Sequence, residues 1–475
     1  MFRTHMAVQP PSWPPADRSR RSRTRQGRAR ACRALRLGAF TIASQAATAS
    51  LAQSRPAGDQ ATLDSLVSAA LTSHPGIRAA RLRVEAMQTR IGPAGLRPDP
   101  TLTLGLRDFP LSSPGFYDSF TMKMVGISQS IPFPGKLGLD RRIASRDVEA
   151  SQAALRTMRL DIVRDVRTAY FELAFLDRAL DIVRRNRDVL VDVIKVTEAR
   201  YGTGQAAQPD VLRARIEAGR LAEQAVMLTE QRRAALASLN AALDRPSDTP
   251  LDDAVVPRRI ALAAVADSAE RIRFTTPALG ARVSGWPFPS LAELQTMALQ
   301  LSPGLTEQAA EVAVQSARIE RARKEHLPDF DVAVEYGQRR GFTDLVTATV
   351  SIPLRVQRRA KQDQLVVGAR ADLAALEAEI ASTRNTMRAE VARLVAELER
   401  QRAQLAIYTT AIIPQGRAAL TSALASYQVG RVEFITLLEN QATLFSYETE
   451  YFRTLSDFAK TLATLERVVG KELLP

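Results

Sequence analysis

Two methionines two positions apart, Met122 and Met124, are the most suggestive donor atoms in this 475-residue chain. On a strand that spacing places both thioethers on one face, where they suit a soft cation such as copper(I). The same spacing serves packing or a lipid-facing surface equally well. His74 and His326 each lie near a proline at a helix boundary and share no ligand spacing, so no bound metal is expected. The chain contains no glycine-rich phosphate loop, no Ser/His/Asp set and no Cys/His pair. Neither catalysis nor a cofactor is expected from such an inventory.

Charge excludes a further class. The formal charge is +14, but residues 1–52 hold ten Arg against one Asp, so nine of those charges sit at the front and five remain for the rest. No basic stripe interleaved with aromatics follows, so no nucleic-acid partner is expected. The front itself runs from an Arg-rich segment (Arg18 to Arg36) through Leu35–Ile42 to small residues, Ala47–Ala49 and Ser50–Ala52. That order reads as an export signal over 1–52, cleaved near 49–52, with a start at Met1 or Met6. The only cysteine, Cys32, follows Arg28-Ala-Arg-Ala31 and lacks the apolar run that lipidation needs. No run of about 18 apolar residues occurs to make a membrane-crossing helix.

What must position any functional residue is a pattern written twice. Ser73-His-Pro-Gly-Ile77 opens a helix, and Ser302-Pro-Gly-Leu305 opens another. Pro98-Asp99 and Pro328-Asp329 each precede an alternating run. Ser130-Ile-Pro132 and Ser351-Ile-Pro353 each close a second one. Tyr201-x-x-Gly204 and Tyr427-x-x-Gly430 each interrupt a long helical stretch. Internal duplication of this kind fixes architecture more firmly than any single motif.

The first repeat spans 62–244, with a helix over 75–96, strands near 101–107 and 119–131, a long helix 136–201 and a return helix 206–243. The second spans 290–475, with strands near 331–338 and 344–352, a long helix 354–428 and a return helix 432–471. Residues 245–289, rich in proline, form an irregular linker wrapped around the middle of the helical part. Val332, Val334 and Tyr336 share a face against Asp331, Ala333 and Glu335. Leu102, Leu104 and Leu106 line one side of the first strand. Period two with one apolar and one polar side fits either a wall between oil and water or a soluble sheet packed on helices. Four strands cannot close a barrel, since about eight are needed to span a membrane, so strands placed in a bilayer must be pooled from several chains.

The helices are far longer than the usual 11–12 residues. Ile162, Val166, Ala169, Leu173, Leu176, Leu180 and Val183 step by four and three, which is a coiled-coil seam. Leu373, Leu376, Ile380, Met387, Val391, Leu394, Leu398 and Leu405 repeat it less regularly. The shorter helices of each half stack end to end beside the long one. Pro132 and Pro353 suit an elbow from strand to helix, and Pro414 either bends or ends the second long helix.

These residues resemble the outer membrane efflux protein family, the TolC-like ducts, over nearly all of 62–475. The two tips carry the resemblance: Tyr201-x-x-Gly204 with Asp210-Val-Leu-Arg-Ala214, and Tyr427-x-x-Gly430 with Phe434-Ile-Thr-Leu-Leu-Glu-Asn440. The helix starts His74-Pro-Gly-Ile-Arg78 and Ser302-Pro-Gly-Leu-Thr306 add to it. The resemblance implies an α+β membrane protein with two direct repeats. Three chains of four strands make a twelve-stranded barrel in the outer membrane, continuous with a coiled-coil periplasmic tunnel.

It implies a passive export duct for small molecules or metal ions, coupled through a periplasmic adaptor to an inner-membrane pump. The adaptor is expected near Tyr201, Gly204, Tyr427 and Gly430, where the glycines equally serve the turn itself. Gate candidates by the same resemblance are Glu439, Thr436 and Asp210; only Glu439 keeps the carboxylate of the usual acidic pair. The segment Gly126–Gly138 is similar to members paired with metal-exporting pumps. Two readings remain beside it: an outer-membrane duct for protein secretion, and a periplasmic coiled-coil adaptor. The direct repetition of strand pairs disfavours the adaptor.

Overall fold

The computed structural model describes residues 59–111, 115–116, 119–265 and 287–474. The expected signal segment with Cys32, and linker residues 266–286, lie outside these residues. The first repeat runs α1 (Asp59–Ser73), α2 (Pro75–Ala94), β1 (Thr101–Arg107), β2 (Met122–Ile131), α3 (Lys136–Gly202) and α4 (Gln208–Ala242). A short helix α5 (Arg258–Val265) follows. The second repeat runs α6 (Leu291–Leu301), α7 (Pro303–Lys324), β3 (Phe330–Gln338), β4 (Leu345–Ser351), α8 (Gln362–Ile407), a π turn (Tyr408–Ile412), α9 (Ile413–Gln428) and α10 (Phe434–Val469).

The four strands form one antiparallel sheet in the order β1-β2-β3-β4, so the two repeats meet between β2 and β3. The register places Leu104 opposite Val125, Val125 opposite Tyr336, and Tyr336 opposite Val346. Leu102, Leu104, Leu106, Ile127, Val334 and Val350 extend the same face, and all of them are exposed. The opposite face carries Thr103, Arg107, Ser128, Ser130, Asp331, Glu335, Thr347 and Thr349. Among the described residues no helix packs substantially on the sheet. A soluble sheet would hide its apolar face against helices, and this one does not. Among the described residues β1 and β4 are edges with one neighbour each.

Met122 and Met124 fall on the polar face, not the apolar one. Met122 is buried because its thioether fills the space above Gly337, where an added Cβ would meet the sulfur at 2.7 Å. Packing therefore accounts for Met122. β2 begins at Met122 rather than near 119, where Thr121 turns to donate its hydroxyl to the Asp108 carbonyl.

α3 runs for 67 residues, about 100 Å at 1.5 Å per residue. Both α2 and α4 pack along it, and α7 and α10 pack along the second long helix, which gives the end-to-end stacking described above. The α3 seam is closed: Ile162, Val166, Leu173, Leu176 and Val183 are buried. The α8 seam is closed only from Val391 onward, while Leu373, Leu376, Ile380 and Met387 remain half-buried. The main core joins α1, α3, α5, α6, α8 and α10 around Phe171, Leu398 and Phe458. Within it Arg167 bonds Glu466 at 2.6 Å, and burial pushes the Glu466 carboxyl above its usual range despite that cation.

Three further expectations need correction. The second long helix starts at Gln362, not near 354, because residues 356–361 form turns first. The first elbow has a reason to turn at once. Gly135 adopts φ +91°, and the fully buried Lys136 bonds Asp329 at 2.8 Å, which pins the start of α3. The second elbow carries Val356-Gln357 where the first has Gly135-Lys136, and it uncoils.

Second, Pro414 does not end the helical stretch, which was one of the two outcomes it allowed. The π turn just before it absorbs the missing donor and the ring's clash with the preceding turn, so the chain continues as α9. Third, the linker is not wholly irregular, since Ile260, Ala263 and Ala264 bury the apolar side of α5 against the core. Its irregular part, 245–257, is strapped down. Ala254 N donates to Asp177 at 2.8 Å, and the Asn240 side chain donates to the carbonyls of Ser247 and Thr249.

Candidate functional site: the hairpin tips

Each long helix ends in the same motif. Gln205 N donates to the Arg200 carbonyl at 2.8 Å and Gly204 N to the Tyr201 carbonyl at 3.0 Å. Arg431 N donates to the Ser426 carbonyl at 2.9 Å and Gly430 N to the Tyr427 carbonyl at 3.0 Å. These are paired Schellman caps, which require a left-handed residue after the helix. Gly204 and Gly430 supply it, at φ +72° and +76°. The turn by itself explains both glycines.

The two tips pack together through Leu190, Val193, Ala214, Leu221, Ala423, Tyr427, Phe434 and Leu437. Tyr427 is buried at the centre. Its ring lies 5.6 Å from Phe434, and its hydroxyl donates to Thr197 Oγ1 at 3.2 Å. Thr197 in turn donates to the Val193 carbonyl at 2.8 Å. Arg200 closes the group from α3. Its guanidinium lies 4.7 Å from the Tyr427 ring centre, donates to the Tyr427 carbonyl, and reaches the Gln205 carbonyl at 3.3 Å. Tyr201, the matching residue of the first tip, is 48% exposed.

Between the tips lies an open cleft of about 590 Å³, lined by Arg200, Asp210, Arg213, Arg431, Glu433 and Phe434 among others. Asp210 is half-buried in the first turn of α4, where the helix N-terminus favours a carboxylate. Thr436 and Glu439 stand three apart on the exposed side of α10, and Glu439 makes no ion pair among the described residues. The structure thus brings Asp210, Tyr427 and the two glycines to one cleft, while Thr436 and Glu439 lie just beyond its lining on the exposed side of α10.

Sequence reasoning missed Arg200 and Thr197. The only hint was a cation in the last turn of α3, directly before Tyr201. No helix is long and apolar enough to cross a membrane, and no metal-holding group of His, Cys, Asp or Glu occurs among the described residues.

The chain belongs to the outer membrane efflux protein family, whose match spans residues 66–245 and 294–471, one block per repeat. It is 22% identical over 427 residues to the cobalt-zinc-cadmium resistance protein CzcC of Cupriavidus metallidurans, covering 88% of this chain and 92% of that one. The outer-membrane channel OprN shares its fold with a TM-score of 0.70 at 17% identity, over 88% of this chain and 92% of OprN. The outer membrane protein VceC from Vibrio cholerae gives 0.68 at 17% identity, over 87% and 97%. The chain is accordingly an efflux channel component and not an enzyme.

Proposed function

We propose that three copies of this chain pool their sheets into one twelve-stranded barrel in the outer membrane, four strands from each. The carrying observation is the uncovered sheet: its apolar face is exposed, for example Leu104 at 69% and Val346 at 71%, and both edges are open. Exposed edge groups in hydrocarbon cost several kcal/mol each, and closure with neighbouring copies removes them. The apolar face then meets lipid and the polar face lines water. The half-buried seam of α8 is a second surface that neighbouring copies would cover.

The helices continue the conduit into the periplasm, where the tips meet an adaptor that couples the duct to an inner-membrane pump. Exposed Tyr201 and the backbone turns at Gly204 and Gly430 face that partner. Tyr427 acts from beneath by shaping the surface. Glu439, with Thr436 and Asp210, lines the narrow end of the tunnel, where three copies of a carboxylate favour cations. The cargo is metal cations, a reading supported by the name of the relative CzcC.

Fractionation with cross-linking tests the assembly. Trimers in the outer membrane are expected, and a water-soluble monomer with an intact sheet overturns it. A deletion strain should lose tolerance to cobalt, zinc or cadmium. Loss of dye or antibiotic tolerance alone would move the cargo to organic molecules.

A further inference from the structure

The polar face of the sheet carries three charged residues among the described strand positions: Arg107, Asp331 and Glu335. Two of them cancel. Arg107 Nη2 donates to Glu335 Oε2 at 2.8 Å. The partners sit on β1 and β3, so the pair crosses β2 diagonally, with Arg107 in register with Met122 and Glu335 in register with Gly126. A glycine is needed under this crossing, because a Cβ on residue 126 would come within 2.9 Å of Glu335 Cγ. The bare backbone lets the glutamate lie along the sheet instead of projecting from it. Side-chain exposures of 45% and 26% mean that the pair adds little to stability. Asp331 lies on the same face near the start of β3, is exposed, and makes no ion pair among the described residues.

We propose that Arg107 and Glu335 form a charge-compensated belt on the barrel wall, leaving Asp331 as its net fixed charge, so that the barrel itself favours cations. The inference rests on the proposed trimer, in which each residue recurs three times around one axis. A water-filled barrel with a low-dielectric wall focuses the field of such charges. Pairing within hydrogen-bond distance removes the net charge of the belt, and three Asp331 carboxylates remain. Ion preference is then set in the barrel as well as at the tunnel end.

The test is the reversal potential of the purified full-length protein in planar lipid bilayers under a potassium chloride gradient. Arg107→Gln exposes three carboxylates and should raise the potassium-to-chloride permeability ratio about two- to threefold, the effect of a local potential on the order of kT. Glu335→Gln should lower it by a similar factor, and Asp331→Asn should lower it too. The Arg107→Gln/Glu335→Gln double variant should return to the wild-type ratio, as should the exchange Arg107→Glu/Glu335→Arg, which also guards against misfolding of the single variants. Conducting trimers whose single variants shift together, or not at all, overturn the belt while sparing the barrel. Absence of both trimers and conductance overturns the barrel, and the belt with it.

Discussion

The two hairpin tips share one backbone motif and differ in what their tyrosines do. Tyr427 is buried under Arg200 and against Phe434, whereas Tyr201 is half exposed to solvent. The difference lies in the neighbours. Where the second tip has Phe434 four residues after its glycine, the first has Gln208, which offers no ring to pack on. Where the first has Arg200 before its tyrosine, the second has Ser426, too short to reach across. A cation from the first tip therefore clamps the second, and nothing reciprocates. Duplication supplied two equal turns, and divergence at single positions made one a structural lock and the other a free surface.

Truncation should separate the tips most strongly. Tyr427→Ala empties a buried site and is expected to lower tip stability by about 3–5 kcal/mol, read as lost hydrogen-exchange protection. Tyr201→Ala should stay within about 0.5 kcal/mol while weakening adaptor cross-linking. Equal losses would erase the comparison.

Removing the clamp comes next. Arg200→Met should cost the second tip about 1.5–3 kcal/mol, since a charged donor leaves the Tyr427 carbonyl. An unchanged exchange profile would show that Arg200 is ornamental. At the glycines, valine must adopt a left-handed backbone, at about 1–2 kcal/mol. Position 430 adds crowding, since a Cβ there meets Arg200 Nη2 at 3.2 Å while position 204 is open. Gly430→Val is therefore expected to abolish export with trimers intact, and Gly204→Val to reduce it less. Normal metal tolerance in Gly430→Val would count against the tip assignment. Within the second tip the smallest change is Tyr427→Phe, which removes one hydroxyl contact to Thr197, worth about 0.5–1.5 kcal/mol.

Much of the architecture was legible because it was written in period and repetition. Alternation in 331–336 and 101–106 set the strand faces, and the four-three steps from Ile162 to Val183 set the α3 seam. Proline marked both elbows. Other features were hidden because they depend on partners distant in sequence. Lys136 gives no sign alone that Asp329 will bury it, and so no sign that the first elbow turns at once while the second uncoils before Gln362. The apolar side of α5 was masked by its proline-rich surroundings. Nothing in Met122 and Met124 said which face they occupy until β2 was registered against β3. At the site, the glycines were visible as turn residues, while Arg200 looked like any helix-end cation.

Sequence by itself determined the duplicated plan, the two-faced strands, the long seams and the glycine-capped tips, because each depends on residues within a few positions of one another. Tertiary structure alone decided which tyrosine is buried, which charge pairs with which across the sheet, and where the second long helix begins. Those outcomes depend on contacts between segments up to about three hundred residues apart, such as Arg167 with Glu466. No local pattern encodes the geometry of such a meeting.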